Sequence, residues 1–188
     1  MVPLLHLLFA LPGGITLCTM NDIPLAADGG RVASLHLHPI EPGAPLQSVG
    51  SIEVIAAHGI VDEPRYFGRI NSTTGKPNRR QISLIEREQI AQHAAALGRE
   101  TIWPGAVRAN IETLGVNLIE FVGRPIQVGD AMLFLYEARS PCQKMDAVCD
   151  GLRGLMENNR QGVMAEVIKS GRIRVNDPIR VAKSSPGL

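Results

Sequence analysis

The sequence predicts a mainly β domain with a few helices, in which short strands form a closed or partly closed barrel. Two segments, 123–130 and 171–177, share a hairpin pattern: Gly-Arg, then Ile-x-Val, then a two-residue turn that ends in aspartate. Gly129 and Asn176 can take the positive φ that such turns need. Short strand patterns recur elsewhere without a regular alternation with helices. This favours a barrel over an alternating α/β sheet.

The composition limits the class of partner. The chain has 188 residues, enough for one domain with a sizeable core, and a formal net charge of +1. Without a basic excess, and with an aromatic fraction of 4%, nucleic-acid and membrane partners are not expected. The three cysteines, Cys18, Cys142 and Cys149, are too few and too irregularly spaced for a disulfide framework. A reducing, cytoplasmic location is therefore the simpler inference.

Residues 1–31 are interpreted as a leader and linker, residues 32–183 as the domain and residues 184–188 as a tail. The apolar segment 1–17 is similar to the core of an export signal, but no Lys or Arg precedes it and Pro12-Gly13-Gly14 ends it early. It is also too short to span a bilayer. Three interpretations stay open: a dispensable or mis-started leader, a cleaved signal, or a segment that packs on the domain.

The first strands of the domain are predicted at residues 32–38 and 48–57, where apolar and polar residues alternate. His36 and His38 would share one face of the first strand. An H-x-H pair can ligate a metal, but no third ligand is visible nearby, so a solvated face is favoured.

A long loop rich in Gly, Asn, Thr, Pro and Arg follows, up to residue 80. Its cations are Arg65, Arg69, Lys76, Arg79 and Arg80. Guanidinium groups match the paired oxygens of phosphates and carboxylates, so the loop is either an anion-binding surface or an ordinary solvated loop.

Two helices are predicted. Ser83-Leu-Ile-Glu86 has the pattern of a capping box, and an apolar stripe follows it up to Gly98, with His93 expected on the helix surface. A second helical pattern runs over residues 145–158, with Cys149 on its apolar stripe. Residues 163–168 are predicted to form a strand.

Cys142 lies between the predicted strand 131–136 and the second helix, directly after Pro141. The Lys144 ammonium and the amide end of the coming helix would both favour a thiolate. The alternative is a packed cysteine in a turn.

In their order and spacing these segments resemble the MOSC domain family, named after the C-terminal part of molybdenum cofactor sulfurases. The resemblance covers residues 32–183. The matching pieces are His58-Gly-Ile-Val-Asp62 with Arg65, Arg80-Gln-Ile-Ser-Leu-Ile85, Pro104-Gly105 with Asn110, Val128-Gly-Asp130, Ser140-Pro-Cys142 with Lys144, Gly162-Val-Met-Ala-Glu-Val and Gly171-Arg-Ile.

This resemblance implies a fold of the pyruvate-kinase barrel-like type and binding of the molybdenum cofactor, molybdopterin. Cys142 would be the thiolate ligand of the metal or the carrier of a persulfide. Arg65, Arg79 and Arg80 would contact the pterin phosphate. The other cofactor-binding residues that it implies are Asp62, His58, Asn110 and Lys144.

Some members of this family reduce N-hydroxylated small molecules and need a redox partner, and the family has a general association with pyridoxal phosphate. If the protein is instead a sulfur carrier, its partner would be a sulfur donor protein. A cysteine hydrolase using His58 and an inactive binding barrel are further alternatives. Two departures from the family pattern bear on catalysis: Asp62-Glu63-Pro64 replaces a Gly-Asp step, and Ala109 stands where a carboxylate is usual.

Overall fold

The computed structural model describes residues 30–181. The strands are β1 Arg31–Leu37, β2 Gln47–Val49, β3 Ser51–Ile55, β4 Gly59–Ile60, β5 Ile82–Glu86, β6 Ile111–Leu114, β7 Pro125–Val128, β8 Ala131–Ala138, β9 Val163–Lys169, β10 Gly171–Arg174 and β11 Ile179–Val181. The helices are α1 Arg87–Ala96 and α2 Leu152–Leu155, with 3-10 helices at Leu118–Phe121 and Gln143–Met145.

Eight strands form one sheet in the order β11-β7-β8-β9-β5-β6-β1-β2, and β10-β3-β4 form a smaller one. The β5–β6 pair is parallel. Near its two ends the large sheet is joined by backbone hydrogen bonds, from Val32 N to Asp177 O at 2.9 Å and from Ile179 N to Gly30 O at 2.8 Å. No continuous ladder completes this junction. The predicted barrel-like, mainly β class is confirmed, and the barrel is not fully closed.

Strand β5 stands between two hydrophobic clusters, and all five of its residues are buried. Leu84 belongs to the cluster inside the large sheet. Ile85, on the opposite face, belongs to a second cluster that α1, Met145 and α2 complete. Successive residues of a strand face opposite sides, so continuous burial requires cover on both. Because β5 is held on both faces, the positions of the polar residues within it and just before it are also fixed.

The two predicted hairpins have different outcomes. The first is confirmed: β7 pairs with β8 in antiparallel fashion, and Gly129 in the turn has a φ of 56°. The second is wrong, because β10 pairs with β3 and β11 pairs with β7. Asn176 does take a positive φ of 71°. Its turn therefore carries the chain from one sheet to the other instead of folding it back on itself.

The predicted capping box at Ser83 is also wrong, since residues 83–86 belong to β5 and α1 begins at Arg87. Burial on both faces of β5 overrides the local pattern. The Glu86 carboxylate instead accepts a hydrogen bond from the Leu118 backbone N–H at 2.8 Å. His93 is fully buried, not on the surface, and its Nε2 lies 2.9 Å from the Arg160 carbonyl oxygen.

The H-x-H pair does not lie on a solvated face, because His36 is 0% and His38 is 5% exposed. His36 contacts Ser34 and Ser48, and each histidine faces a buried carboxylate. Within the second predicted helix, only α2 is α-helical. Cys149 is half-buried against the second hydrophobic cluster.

The predicted strands over residues 131–136 and 163–168 are confirmed as parts of β8 and β9. The interpretations of the leader, of Cys18 and of the tail fall outside the described residues. Among the residues that the structure describes, no helix is long and apolar enough to cross a membrane.

Candidate functional site

A cavity of about 430 Å³ opens beside Cys142. Its walls include the segment after β8, the segment before β5 and the loop after β4. Ser83 of β5 and Met164 of β9, from neighbouring strands, also line it. Five cations line it: Arg65, Arg80, Arg108, Arg139 and Lys144. The cavity thus lies at one side of the barrel, where several loops leave the strands.

The five cations outnumber Glu137, the acidic residue in the same lining. Among residues 30–181 none of them forms a salt bridge with a carboxylate. Arg139 donates to the carbonyl oxygens of Gln161 at 3.4 Å and Arg108 at 3.3 Å. The guanidinium carbons of Arg65 and Arg80 lie 5.1 and 5.4 Å from the centre of the Tyr66 ring. Neutral groups therefore hold the cations in place and leave their charge available to a ligand.

Burial, together with repulsion from neighbouring positive charges, lowers the pKa values of two of these cations. Burial, reinforced by the Arg80 charge, lowers the pKa of Arg139 to about 10. Burial and the nearby Arg65 charge likewise lower the pKa of Arg108. With a pKa of about 10, Arg139 keeps its charge at neutral pH. A bound anion would relieve the repulsion, so the cavity favours a negatively charged ligand.

Cys142 is exposed and lies at the mouth of this cavity as a free thiol. Directly after it the chain enters the 3-10 helix, and the Met145 N–H donates to the Cys142 carbonyl oxygen at 3.0 Å. Met145 is buried in the second hydrophobic cluster and anchors the turn. The thiol is therefore accessible, but the backbone that carries it is held by the core.

The MOSC domain family matches residues 65–180, which is more than half of the chain. This chain belongs to the MOSC domain family. The solved structures agree with the fold of a MOSC domain. The YuaD protein of Bacillus subtilis has 18% identity and a TM-score of 0.67, with 80% of this chain and 93% of that one covered.

YiiM of Geobacillus stearothermophilus has 16% identity and a TM-score of 0.62, with 84% of this MOSC chain and 77% of its own covered. YiiM of Escherichia coli has 17% identity and a TM-score of 0.58, with 84% and 72% covered. No curated protein matches the chain at a significant level. At such low identities the solved structures support the fold alone.

Four of the residues that the sequence proposed for the MOSC site share the cavity: Arg65, Arg80, Cys142 and Lys144. Arg79 does not line it. Its side chain forms a salt bridge with Glu166 at 2.9 Å. The two adjacent arginines diverge at a bend, where the Arg80 N–H donates to Asn78 Oδ1 at 2.9 Å.

Two more proposed residues lie outside the cavity. His58 is exposed, its Nδ1 lies 2.9 Å from the Ala56 carbonyl oxygen, and its ring packs beside Phe67. Asp62 is exposed in the loop after β4 and has a φ of 64°. His58 therefore does not share the cavity with Cys142, as a hydrolytic pair would require.

Asn110 lies beneath the cavity instead of lining it, and it is fully buried. Its Oδ1 accepts hydrogen bonds from the backbone N–H of Ser83 at 3.1 Å and from the Ser83 hydroxyl at 2.8 Å. Its Nδ2 donates to the His36 carbonyl oxygen at 3.2 Å and to the Glu63 carboxylate at 3.1 Å. Asn110 is thus a cross-link between β1, β5 and the loop that carries Glu63.

The same carboxylate orients a histidine that lines the cavity. Glu63 Oε2 lies 3.2 Å from His38 Nδ1 and accepts from the His38 backbone N–H at 2.9 Å. Burial alone would raise the pKa of Glu63, but the hydrogen bonds from His38 and Arg65 hold that pKa below its usual value. The Glu63 carboxylate thereby fixes the orientation of the His38 ring.

Sequence reasoning missed His38, Tyr66, Arg108 and Arg139 as site residues. Arg139 could have been found, because it stands three residues before Cys142 where the predicted strand ends. His38 could not, since its role depends on Glu63, which lies 25 residues away in the sequence. The two meet only because Asn110 draws the Glu63 loop against β1.

The donor set fits the molybdenum cofactor that the family implies. In residues 30–181 no group of three or more His, Cys, Asp or Glu is placed to hold a metal ion. Cys142 is the thiol that lines the cavity and would be the protein ligand of a metal held there by the cofactor. The cations of the cavity match a phosphate, which the pterin part carries.

Proposed function

We propose that this chain binds the molybdenum cofactor, with Cys142 as the thiolate ligand of the metal. Arg65, Arg80 and Lys144 hold the pterin phosphate, and Arg139 adds a fourth positive charge. The observation that supports this is the accessible free thiol in a cavity with five cations that lack carboxylate partners. A soft thiolate suits a molybdenum centre, and guanidinium groups suit a phosphate.

When bound, the cofactor supplies two-electron redox chemistry, with electrons delivered by a redox partner. Reduction of an N-hydroxylated small molecule consumes two electrons and two protons and releases water. In this proposal His38, which lines the cavity, donates a proton to the leaving oxygen, and the Glu63 carboxylate holds its ring in position.

The first test is the metal content of the full chain purified from a host that makes the cofactor. We expect about one molybdenum per chain, because one thiolate ligates one metal. Cys142→Ala should lose the metal, and the matched Cys149→Ala should keep it. Arg80→Ala should retain less cofactor than Arg79→Ala, since only Arg80 lines the cavity. Molybdenum retained by Cys142→Ala would refute the assignment of Cys142 as the metal ligand.

A persulfide carrier is the second candidate, and the exposure of Cys142 favours it because a donor protein could reach this thiol. After incubation with a cysteine desulfurase, peptide mass spectrometry should find one added sulfur atom on Cys142. An adduct on the half-buried Cys149 would count against the carrier.

A further inference from the structure

A second cavity adjoins the first and has a volume of about 310 Å³. The two share four lining residues: His38, Arg65, Arg108 and Lys144. The second cavity extends outward along the loop after β1, whose prolines restrict the backbone. The two cavities are therefore contiguous, and Cys142 lines the first of them.

The second cavity is also cationic. To the shared cations it adds Arg69, and Glu41 is the one carboxylate in its described lining. No hydrogen bond or salt bridge engages the Arg69 side chain among the described residues. Its backbone, however, is fixed, because its N–H donates to Tyr66 O at 3.3 Å and its carbonyl accepts from Asn78 N at 2.8 Å. A held backbone with an uncommitted guanidinium is suited to anion capture.

Arg108 stands at the junction of the two cavities in a conformation that side chains seldom adopt. Its φ is 58°, a left-handed value that costs a non-glycine residue free energy. One terminal nitrogen, NH1, donates to the Ala44 carbonyl oxygen at 3.0 Å, while Nε is buried without a partner. The fold therefore holds a strained, incompletely satisfied arginine between the cavities, where an anion would supply the missing acceptor.

We infer that the second cavity binds an anionic group of the substrate, a carboxylate or a phosphate, while the substrate's reacting group faces Cys142. This inference rests on the proposed function of the first cavity. Arg80 and Arg139 line the first cavity alone, and with the shared Arg65 and Lys144 they serve the cofactor's phosphate there. Arg69 lines the second cavity alone, so its charge is directed at a different group. The substrate class is a small, negatively charged molecule.

The test uses the full chain and inorganic phosphate as the probe, with binding measured by isothermal titration calorimetry and molybdenum measured on the same samples. Arg69→Ala removes a cation of the second cavity, and Arg80→Ala removes one of the first. Arg99→Ala, an exposed arginine that lines neither cavity, is the matched control. We expect Arg69→Ala to weaken phosphate binding by about tenfold, the scale of one charge-assisted contact, and to leave molybdenum unchanged.

Two results would overturn the inference. Phosphate affinity in Arg69→Ala equal to that of Arg99→Ala would show that the second cavity does not capture anions. Loss of molybdenum in Arg69→Ala would show that its anion belongs to the cofactor and not to the substrate. Failure of the proposed function is separate, because it is measured by metal retained in Cys142→Ala, a variant that leaves the cations of the second cavity in place.

Discussion

Replacing Asn110 with alanine is expected to destabilise the fold and not only the site. The side chain makes four hydrogen bonds in a fully buried position, with Ser83 twice, with the His36 carbonyl and with Glu63. Alanine leaves a strand N–H, a carbonyl and a carboxylate each short of a partner. Each unsatisfied group costs about 1–3 kcal/mol, and partial relaxation brings the expected total to about 3–5 kcal/mol.

The assay is urea unfolding of the full chain, read as the change in the free energy of unfolding. Asn110→Asp is the matched variant, because it keeps the acceptor toward Ser83 but places a second carboxylate oxygen against Glu63. We expect its instability to decrease as the pH falls and one of the two carboxyl groups is protonated. A loss below about 0.5 kcal/mol in Asn110→Ala, with loss of cofactor alone, would refute the cross-link and favour a direct ligand role.

Two further predictions concern stability. Burial lowers the pKa of His93, so the unfolded chain binds the extra proton first, and stability should fall as the pH drops below about 6.5. His93→Gln should reduce the slope of unfolding free energy against pH by up to about 1.4 kcal/mol per pH unit, measured by urea unfolding between pH 5 and 7. Equal slopes in the variant and the wild type would contradict this. Gly162→Ala places a Cβ against the Leu84 carbonyl oxygen at a φ of 76°. We expect the free energy of unfolding to fall by about 2 kcal/mol or more in the same assay. A variant as stable as wild type would disprove the close approach.

The parts of the site that follow from local sequence could be predicted. An apolar strand, a proline and a following helical turn were enough to place Cys142 at an exposed junction. The divergence of Arg79 and Arg80 could not be predicted, because the salt-bridge partner of Arg79 is Glu166, which lies 87 residues away in the sequence. The capping pattern at Ser83 misled for a similar reason: both faces of β5 are covered by distant residues, and no local pattern reports this.

The His38–Glu63 pair shows the other limit. Neither residue is unusual in its own segment, and a solvated face was favoured for His38 because no third metal ligand was visible nearby. The buried pair is accompanied by the cross-link through Asn110, which connects three segments that are remote in the sequence. Networks of buried polar groups depend on tertiary structure, so their members are the residues that a single sequence predicts worst.

The junction between residues 30–32 and 176–179 has a consequence for synthesis on the ribosome. The backbone hydrogen bonds that bring β1 and β11 together join the first and last described parts of the domain. Until residue 179 has emerged, β7 lacks its outer neighbour and β1 lacks this contact. Between the synthesis of β7 and that of β11, the nascent domain therefore presents an unpaired edge of β7, a period in which chaperones would have the most to protect.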